Sequence, residues 1–198
     1  MMSPQKNISF ESFIPDNMFR NFNSSNKKKF ENLIKKTKEN LKENNNMFYS
    51  FSKNFKLNFD LTELKKYKKF KRIIIIGLGG SILGAQAINY FLKEQIKKEI
   101  IFVNNLEMDQ VNKLNKGKNL KNSLFIIISK SGNTLEVLSI INALKKKANF
   151  NKKNSIVITE NKKSHLSTFA KDLKIKVIAH RKYVGGRYSV FSETALVP

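Results

Sequence analysis

Three short stretches of the chain combine glycines with hydroxyl or cationic side chains, and this combination suits the binding of an anion. Their sequences are GLGGSILGA at residues 77–85, SKSGNTLE at residues 129–136 and VGGRYSVFS at residues 184–192. Glycine lets backbone N–H groups approach a ligand closely, and hydroxyl and guanidinium groups donate hydrogen bonds to negatively charged oxygen atoms. We therefore take these stretches as the candidate binding residues.

The first stretch follows an isoleucine-rich run and leads into a helical pattern. A helix N-terminus directs unpaired N–H groups and a positive dipole at its surroundings, so Gly80 and Ser81 are placed to meet an anion. The residues of this stretch do not match the spacing of either of two common nucleotide-binding motifs. Ile82 stands where G-x-G-x-x-G needs glycine, and Ala85 and Gln86 stand where the nucleoside triphosphatase loop needs lysine followed by serine or threonine. The alternative is a glycine-rich turn required only for packing.

The second stretch gathers polar residues at the start of another predicted helix. They are Ser129, Lys130, Ser131 and Thr134. A capping pair of Asn133 with Glu136 explains part of this pattern. It leaves most of the hydroxyl groups unexplained, and hydrogen bonds to a charged group contribute about 1.5 to 3 kcal/mol each. Together with the first stretch, the pattern predicts a seat for a monophosphate that needs no metal ion.

The third stretch places an arginine directly after two glycines. Gly185 and Gly186 allow a tight passage of the backbone, and the apolar run that follows predicts that Arg187 faces inward, toward the binding crevice. The guanidinium group is planar and always charged, so it suits an anionic ligand or intermediate. The alternative is an ordinary surface ion pair.

The remaining pattern indicates the elements that position these stretches. Five apolar runs read as buried strands, namely RIIIIG, EIIFV, SLFIIIS, NSIVIT and IKVIAH. Helical patterns alternate with them, namely SILGAQAINYFLK, DQVNKLNKG, NTLEVLSIINALKKK and SHLSTFAKDL. This alternation predicts an α/β fold, a parallel sheet of about five strands covered by helices on both faces. The three candidate stretches all follow strands, where open α/β sheets bind ligands.

The chain divides into a helical segment at residues 1–69 and the α/β domain at residues 70–198. A predicted helix over SNKKKFENLIKKTKENLKENNN carries a thin apolar stripe that we expect to pack on the domain. The stripe consists of Phe30, Leu33, Ile34, Thr37 and Leu41. A second short helix is predicted in DLTELKKYKKF, with Asp60 and Glu63 in capping-box register.

Composition narrows the class of protein. The chain has 198 residues, no cysteine and a net charge of +23, and only four of its 38 basic residues are arginine. The lysines are scattered along the sequence, which indicates a solvated surface. If the chain instead bound nucleic acid, its affinity for DNA would decrease steeply as the salt concentration rises. With no apolar run long enough to serve as a signal peptide or a membrane span, we expect no membrane association and a cytoplasmic location.

The three stretches, in this order and at these intervals, resemble the glucose-6-phosphate isomerases of the sugar-isomerase superfamily. The resemblance covers about residues 55–198 and implies a flavodoxin-like three-layer fold. It also implies reversible conversion of glucose 6-phosphate and fructose 6-phosphate through a cis-enediol, without a metal ion or an organic cofactor. The implied partners are a phosphosugar and, for the full-length enzyme, a second copy of the chain.

Family roles transfer to individual residues by their positions in the motifs. The resemblance implies that Gly80 and Ser81 flank the substrate and that Arg187 stabilises the charge of the enediolate. The phosphate group would be bound by Ser129, Lys130, Ser131 and Thr134. The sequence departs from the family at Ser131, Asn133 and Val137, where many members have threonine.

The sequence also leads to expectations about the activity of this chain alone and about three further residues. In the family, the glutamate base and the residues of ring opening follow the arginine motif, so we expect this chain to supply the phosphate-binding half and to be inactive alone. Glu193 is expected to cap a helix, His165 to lie on a helix surface and His180 to end a strand. The alternatives are a dual phosphoglucose and phosphomannose isomerase and a non-catalytic phosphosugar-binding module.

Overall fold

The computed structural model describes residues 24–43, 46–116 and 120–198. Its centre is a five-stranded parallel sheet in the order β2-β1-β3-β4-β5. The strands are β1 (Arg72–Ile76), β2 (Glu99–Val103), β3 (Ser123–Ile128), β4 (Ser155–Glu160) and β5 (Lys176–His180). Each of the five apolar runs is therefore a strand, with ends within one residue of those predicted.

Helices connect the strands and flank the sheet. In chain order the α-helices are α1 (Ser24–Asn40), α2 (Leu61–Leu64), α3 (Gly80–Phe91), α4 (Met108–Lys116), α5 (Leu135–Ala148), α6 (His165–Asp172) and α7 (Glu193–Leu196). Short 3-10 helices occupy Met47–Phe51, Lys65–Tyr67, Leu120–Asn122 and Gly186–Phe191. The helical patterns predicted between the strands are confirmed as α3 to α6. The last residue of the second pattern, Gly117, lies outside the described residues.

The three central strands β1, β3 and β4 are buried on both faces because they are nearly continuous in apolar residues. The outer strands β2 and β5 are only partly buried, so the prediction of buried strands is wrong for these two. Alternate side chains point to opposite faces, so Ile74 and Ile127 pack under α4, α5 and α6, whereas Ile75 and Ile126 pack on the side of α2 and α3. These four side chains are at most 1% exposed. Burial of one such side chain contributes about 1.5 to 3 kcal/mol, so this three-layer core fixes the carboxyl edge of the sheet where the candidate loops lie.

The helix α1 does not pack on the domain as predicted. Phe30 is 56% exposed and Leu33 is 64% exposed. The apolar stripe is thin, and α1 contacts the short 3-10 helix Met47–Phe51. The helix is correctly predicted, but its packing is not.

The segment before β1 is attached to the domain across the proposed boundary at residue 69. Tyr67 is buried in the core, and the Nδ2 group of Asn58 donates a hydrogen bond to the carbonyl of Ala179 at 3.0 Å. The predicted cap Asp60 accepts a hydrogen bond from the backbone N–H of Thr62 at 2.8 Å. Glu63 forms an ion pair with Lys176, in place of the reciprocal capping bond that we predicted. The division of the chain at residue 69 stays a prediction.

Within the part of the chain that the structure describes, no helix combines the length and the apolar character needed to cross a membrane.

Candidate functional site

The turn after β1, residues 77–81, is named here the glycine turn, and residues 181–192, after β5, the arginine loop. The two are in direct backbone contact. A Cβ atom built on Gly80 would lie 2.5 Å from the carbonyl carbon of Gly186 and 2.7 Å from the backbone nitrogen of Arg187. The hydroxyl of Ser189 also donates a hydrogen bond to the carbonyl of Gly80 at 3.3 Å. Only glycine at position 80 allows this approach.

The loop after β3, residues 129–134, is named here the hydroxyl loop because its hydroxyl groups converge. The Oγ atom of Ser129 lies 2.8 Å from the Oγ1 atom of Thr134, and the Oγ atom of Ser131 lies 3.4 Å from the same atom. Ser129 is buried, Ser131 is exposed, and Thr134 lies between these extremes. Ser129 also accepts a hydrogen bond from the N–H of Gly132 at 3.1 Å, which holds the loop in its turn.

The hydroxyl loop ends at the N-terminus of α5. Thr134 is the N-cap residue and makes no capping hydrogen bond through its side chain. The N–H groups of a helix's first turn have no partners within the helix, so those of α5 are directed toward the hydroxyl loop. The hydroxyls and the helix N-terminus therefore share one location, as the sequence predicted.

The predicted capping pair of Asn133 with Glu136 is wrong. The Oδ1 atom of Asn133 instead accepts a hydrogen bond from the backbone N–H of His165 at 3.0 Å, at the start of α6. The cause is the turn at Gly132, where φ is +69° and a Cβ atom would lie 2.1 Å from the Oγ atom of Ser164. This close packing brings the hydroxyl loop against the N-terminus of α6.

The side chain of Lys130 links the hydroxyl loop to the arginine loop. Its Nζ atom donates hydrogen bonds to the carbonyls of Lys182 and Val184, both at 2.9 Å, and lies 3.7 Å from the Oε1 atom of Glu160. Sequence reasoning missed this role because the acceptors are backbone carbonyls more than 50 residues away.

The carboxylate of Glu160 lies beside this connection and is paired with lysines. Burial raises the pKa of Glu160, but the hydrogen bond from Lys162 and the nearby charges of Lys130 and His180 lower it by more. The carboxylate is thus held in its charged form next to the loops.

Arg187 is exposed, so the prediction that it faces inward is wrong for its side chain. Its backbone, not its guanidinium group, makes the close contact with the glycine turn. The guanidinium group is therefore accessible from solvent.

The histidine placements are confirmed, but the expectation for Glu193 is wrong. His165 is exposed at the start of α6, and His180 is the buried last residue of β5. Glu193 follows the N-cap residue Ser192 and is 0% exposed, with its Oε1 atom accepting a hydrogen bond from the N–H of Asn58 at 3.1 Å. It is a buried side chain and not a helix cap.

These contacts join the three predicted stretches at the carboxyl edge of the sheet. In the strand order β2-β1-β3-β4-β5, the chain turns in opposite directions from β1 and β3, which makes their carboxyl ends the switch point where such sheets bind ligands. The glycine turn and the hydroxyl loop follow these two strands, and the arginine loop reaches back from β5 to contact both. Among the described residues, no group of three or more His, Asp or Glu side chains is placed to hold a metal ion.

The sheet order and the three converging loops define an α/β protein of the sugar-isomerase class. The similarity of the sequence is more specific, since the family profile of phosphoglucose isomerase matches residues 25–197. The chain belongs to the phosphoglucose isomerase family.

Individual relatives agree with this assignment. A glucose-6-phosphate isomerase of Borreliella afzelii is 36% identical over 140 residues, which cover 66% of this chain and 26% of that protein. A glucose-6-phosphate isomerase of Borreliella burgdorferi is 32% identical over 180 residues, which cover 84% of this chain and 33% of that protein. The chain thus spans about a quarter to a third of the length of these curated relatives.

Solved structures agree as well. The crystal structure of a glucose-6-phosphate isomerase from Chlamydia trachomatis superposes with a TM-score of 0.59 at 26% identity, covering 69% of this chain and 27% of that one. A hypothetical protein from Thermus thermophilus superposes with a TM-score of 0.61 at 28% identity, covering 70% and 35% of the two chains.

Proposed function

We propose that this chain supplies the phosphosugar-binding half of a glucose-6-phosphate isomerase. The reaction interconverts glucose 6-phosphate and fructose 6-phosphate: after ring opening, a proton leaves C2, a cis-enediol forms, and a proton is added at C1. Substrate and product have the same composition, so the reaction needs no oxidant or reductant. The observation that supports this proposal is the convergence of the glycine turn, the hydroxyl loop and the arginine loop.

In this proposal the hydroxyl loop binds the phosphate group. The hydroxyls of Ser129, Ser131 and Thr134 donate to its oxygen atoms, and the first N–H groups of α5 add backbone donors and a favourable dipole. Lys130 contributes by a different route from the direct contact that the family resemblance implies. Because its ammonium donates to two carbonyls of the arginine loop, we assign it the joining of the two loops.

The glycine turn and Arg187 act on the sugar. Gly80 and Ser81 flank the sugar carbons next to the backbone of the arginine loop. Arg187 provides a fixed positive charge for the enediolate, where electrostatic stabilisation is often among the largest contributions to catalysis. Glu193, the acid nearest Arg187 in sequence, is fully buried and hydrogen-bonded to Asn58, so we do not assign it the proton transfer.

A titration of the chain with glucose 6-phosphate, inorganic phosphate and glucose tests the proposed site. We expect glucose 6-phosphate to bind with a dissociation constant between about 1 μM and 1 mM, inorganic phosphate to bind more weakly, and glucose not to bind measurably. Equal affinity for glucose and for glucose 6-phosphate would contradict a phosphate seat. Turnover of mannose 6-phosphate by the full-length protein would distinguish a dual isomerase, and binding without turnover by the full-length protein would favour the non-catalytic module.

We further propose that the full-length enzyme is a homodimer and acts in the cytoplasm, as the family resemblance implies. Light scattering after size-exclusion chromatography measures the oligomeric state, and a monomer at micromolar concentration would contradict the dimer.

A further inference from the structure

The arginine loop is closed at its base by a buried pair of ionisable side chains, His180 and Glu193. His180 is 3% exposed and ends β5, directly before the loop, while Glu193 is 0% exposed and begins α7, directly after it. The Nδ1 atom of His180 lies 3.5 Å from the Oε2 atom of Glu193, and neither atom makes a hydrogen bond to any of the residues that the structure describes. Because isolated buried charges are costly, these two groups depend on each other.

The other ring nitrogen of His180 reaches into the loop. Its Nε2 atom lies 3.1 Å from the carbonyl oxygen of Val184, which can only accept a hydrogen bond, so Nε2 carries a proton. The Nδ1 atom of the same ring faces the Oε2 atom of Glu193, so the imidazole lies between the arginine loop and the buried carboxylate.

Other polar groups secure Glu193 in its charged form. Burial raises the pKa of this carboxyl group, but its interaction with His180 and the hydrogen bond from the N–H of Asn58 lower it by more. The Nε atom of Arg181 lies 4.0 Å from its Oε1 atom. Tyr183 also interacts electrostatically with Glu193, and Glu160 with His180.

The carbonyl of Val184 also joins this pair to the hydroxyl loop. It accepts hydrogen bonds from His180 and from the Nζ atom of Lys130, and it immediately precedes Gly185, Gly186 and Arg187. A carbonyl oxygen has two lone pairs, so both donors are accommodated. The position of this one carbonyl therefore depends on the hydroxyl loop and on the buried pair together.

We propose that His180 and Glu193 are positioning residues that hold the arginine loop so that Arg187 faces the sugar carbons of a ligand whose phosphate lies in the hydroxyl loop. This inference rests on the proposed function. It assigns no contact between the pair and the substrate, because both side chains are buried. Its consequence is that losing the pair affects recognition of the reacting end of the sugar and spares recognition of the phosphate.

The test compares two ligands in Glu193→Gln and His180→Gln variants of the chain. Inorganic phosphate reports on the hydroxyl loop, and arabinonate 5-phosphate adds a carboxylate with the planar negative charge that an enediolate carries. We expect unchanged affinity for inorganic phosphate and about a tenfold loss for arabinonate 5-phosphate in each variant. The double variant should lose less than the sum of the two single losses, since both substitutions remove the contact between His180 and Glu193.

Glu99→Gln is the matched control, because Glu99 is in an exposed ion pair with Arg72 at the opposite end of the sheet and should leave both affinities unchanged. If the variants lose equal affinity for the two ligands, or if the losses add in the double variant, the pair only stabilises the fold and the inference is overturned. If Glu193→Gln does not fold, His180→Gln decides alone.

Amide hydrogen exchange at Gly186 and Arg187 separates this inference from the proposed function. The positioning role predicts faster exchange at both amides in Glu193→Gln and not in Glu99→Gln, with or without ligand. If exchange is faster but the chain binds neither ligand, the phosphosugar site is refuted, and the conclusion that the pair holds the arginine loop in place still stands. Unchanged exchange would overturn the positioning role.

Discussion

Gly80 and Gly186 lie against each other where the glycine turn meets the arginine loop. The atoms that a Cβ group on Gly80 would meet belong to the backbone, at 2.5 to 2.9 Å, so no side chain can move aside to make room. The contact is local, yet it sets the distance between two of the three loops of the candidate site. A substitution here is accordingly the most direct test of whether the loops must touch.

We predict that Gly80→Ala separates the two loops. Overpacking of this kind costs about 1 to 3 kcal/mol of the free energy of unfolding, and we expect affinity for glucose 6-phosphate to fall at least about tenfold. Gly185→Ala is the control for stability, because its Cβ would lie 3.4 Å from a ring carbon of Tyr188, an ordinary contact. Chemical denaturation and ligand titration measure the two effects; a stable Gly80→Ala variant with normal affinity would refute the argument.

A second prediction concerns the hydroxyl groups of Ser129 and Thr134. Ser129→Ala and Thr134→Val each remove one member of the 2.8 Å contact, and we expect each to weaken binding of glucose 6-phosphate by about tenfold. Ser139→Ala removes a hydroxyl from the exposed face of α5 and should leave the affinity unchanged. Isothermal titration calorimetry measures the affinities, and a loss equal in all three variants would argue against a specific seat.

A further prediction concerns whether Arg187 contributes mainly to substrate binding or to the catalytic step. Because its exposed guanidinium group is assigned to the enediolate, Arg187→Ala should lower kcat of the isomerase by more than it raises KM for glucose 6-phosphate. Steady-state kinetics of the full-length enzyme measure both constants. Equal effects on the two constants would assign Arg187 to substrate binding instead.

At the scale of elements, the helices differ in how much their apolar faces contribute to stability. Leu144 of α5 is 0% exposed in the core, whereas Leu33 of α1 is 64% exposed. Their sequence patterns are similar, and only the surrounding layers distinguish them.

We predict that Leu144→Ala lowers the free energy of unfolding by about 2 to 5 kcal/mol, because it leaves a cavity in the core. Leu33→Gln should change it by less than about 0.5 kcal/mol. Urea denaturation of both variants provides the comparison. A large loss for Leu33→Gln would mean that α1 is covered by another surface in solution.

The elements were predictable because their signals are local. The apolar run in EIIFV is typical of a strand in a parallel sheet, and this sequence forms the whole of β2, which is only partly buried because it lies at the edge of the sheet. The positions of the hydroxyls in the hydroxyl loop follow from the same logic, since a strand before them and a helix after them fix their place. The alternation of strands and helices then determines at which edge of the sheet they lie.

The directions of individual side chains were not predictable because their partners are distant in sequence. Asn133 contacts α6, Lys130 contacts the arginine loop, and Glu193 contacts Asn58. In each case a local signal suggested a cap or a ligand contact, and a long-range contact determined the outcome. No periodicity in the sequence reports such pairings.

At the scale of the whole molecule, buried and paired carboxylates make stability depend on pH. The pKa of Glu193 and the pKa of Glu160 are both lowered in the folded state, because hydrogen bonds and positive charges outweigh the opposing effect of burial. A lowered pKa in the folded state means that the stabilisation is present above the unfolded value, 4.5, and is lost as the pH falls through the folded value.

We therefore predict that the free energy of unfolding decreases as the pH is lowered below about 4.5, and that Glu193→Gln decreases this dependence. Denaturation curves at neutral and acidic pH measure the effect, with Glu99→Gln as the control for an exposed carboxylate. A variant with the same acid sensitivity as the natural chain would show that Glu193 has no part in it.

The hydrogen bond from Asn58 to Glu193 has a consequence for the order of folding. It joins residues 135 positions apart, and Arg181 bonds to Lys56 across 125 positions. Closing such long loops costs entropy that is recovered only after the strands between them have assembled. During synthesis the sheet can form before these contacts exist, so the base of the arginine loop is completed only after Glu193 has left the ribosome.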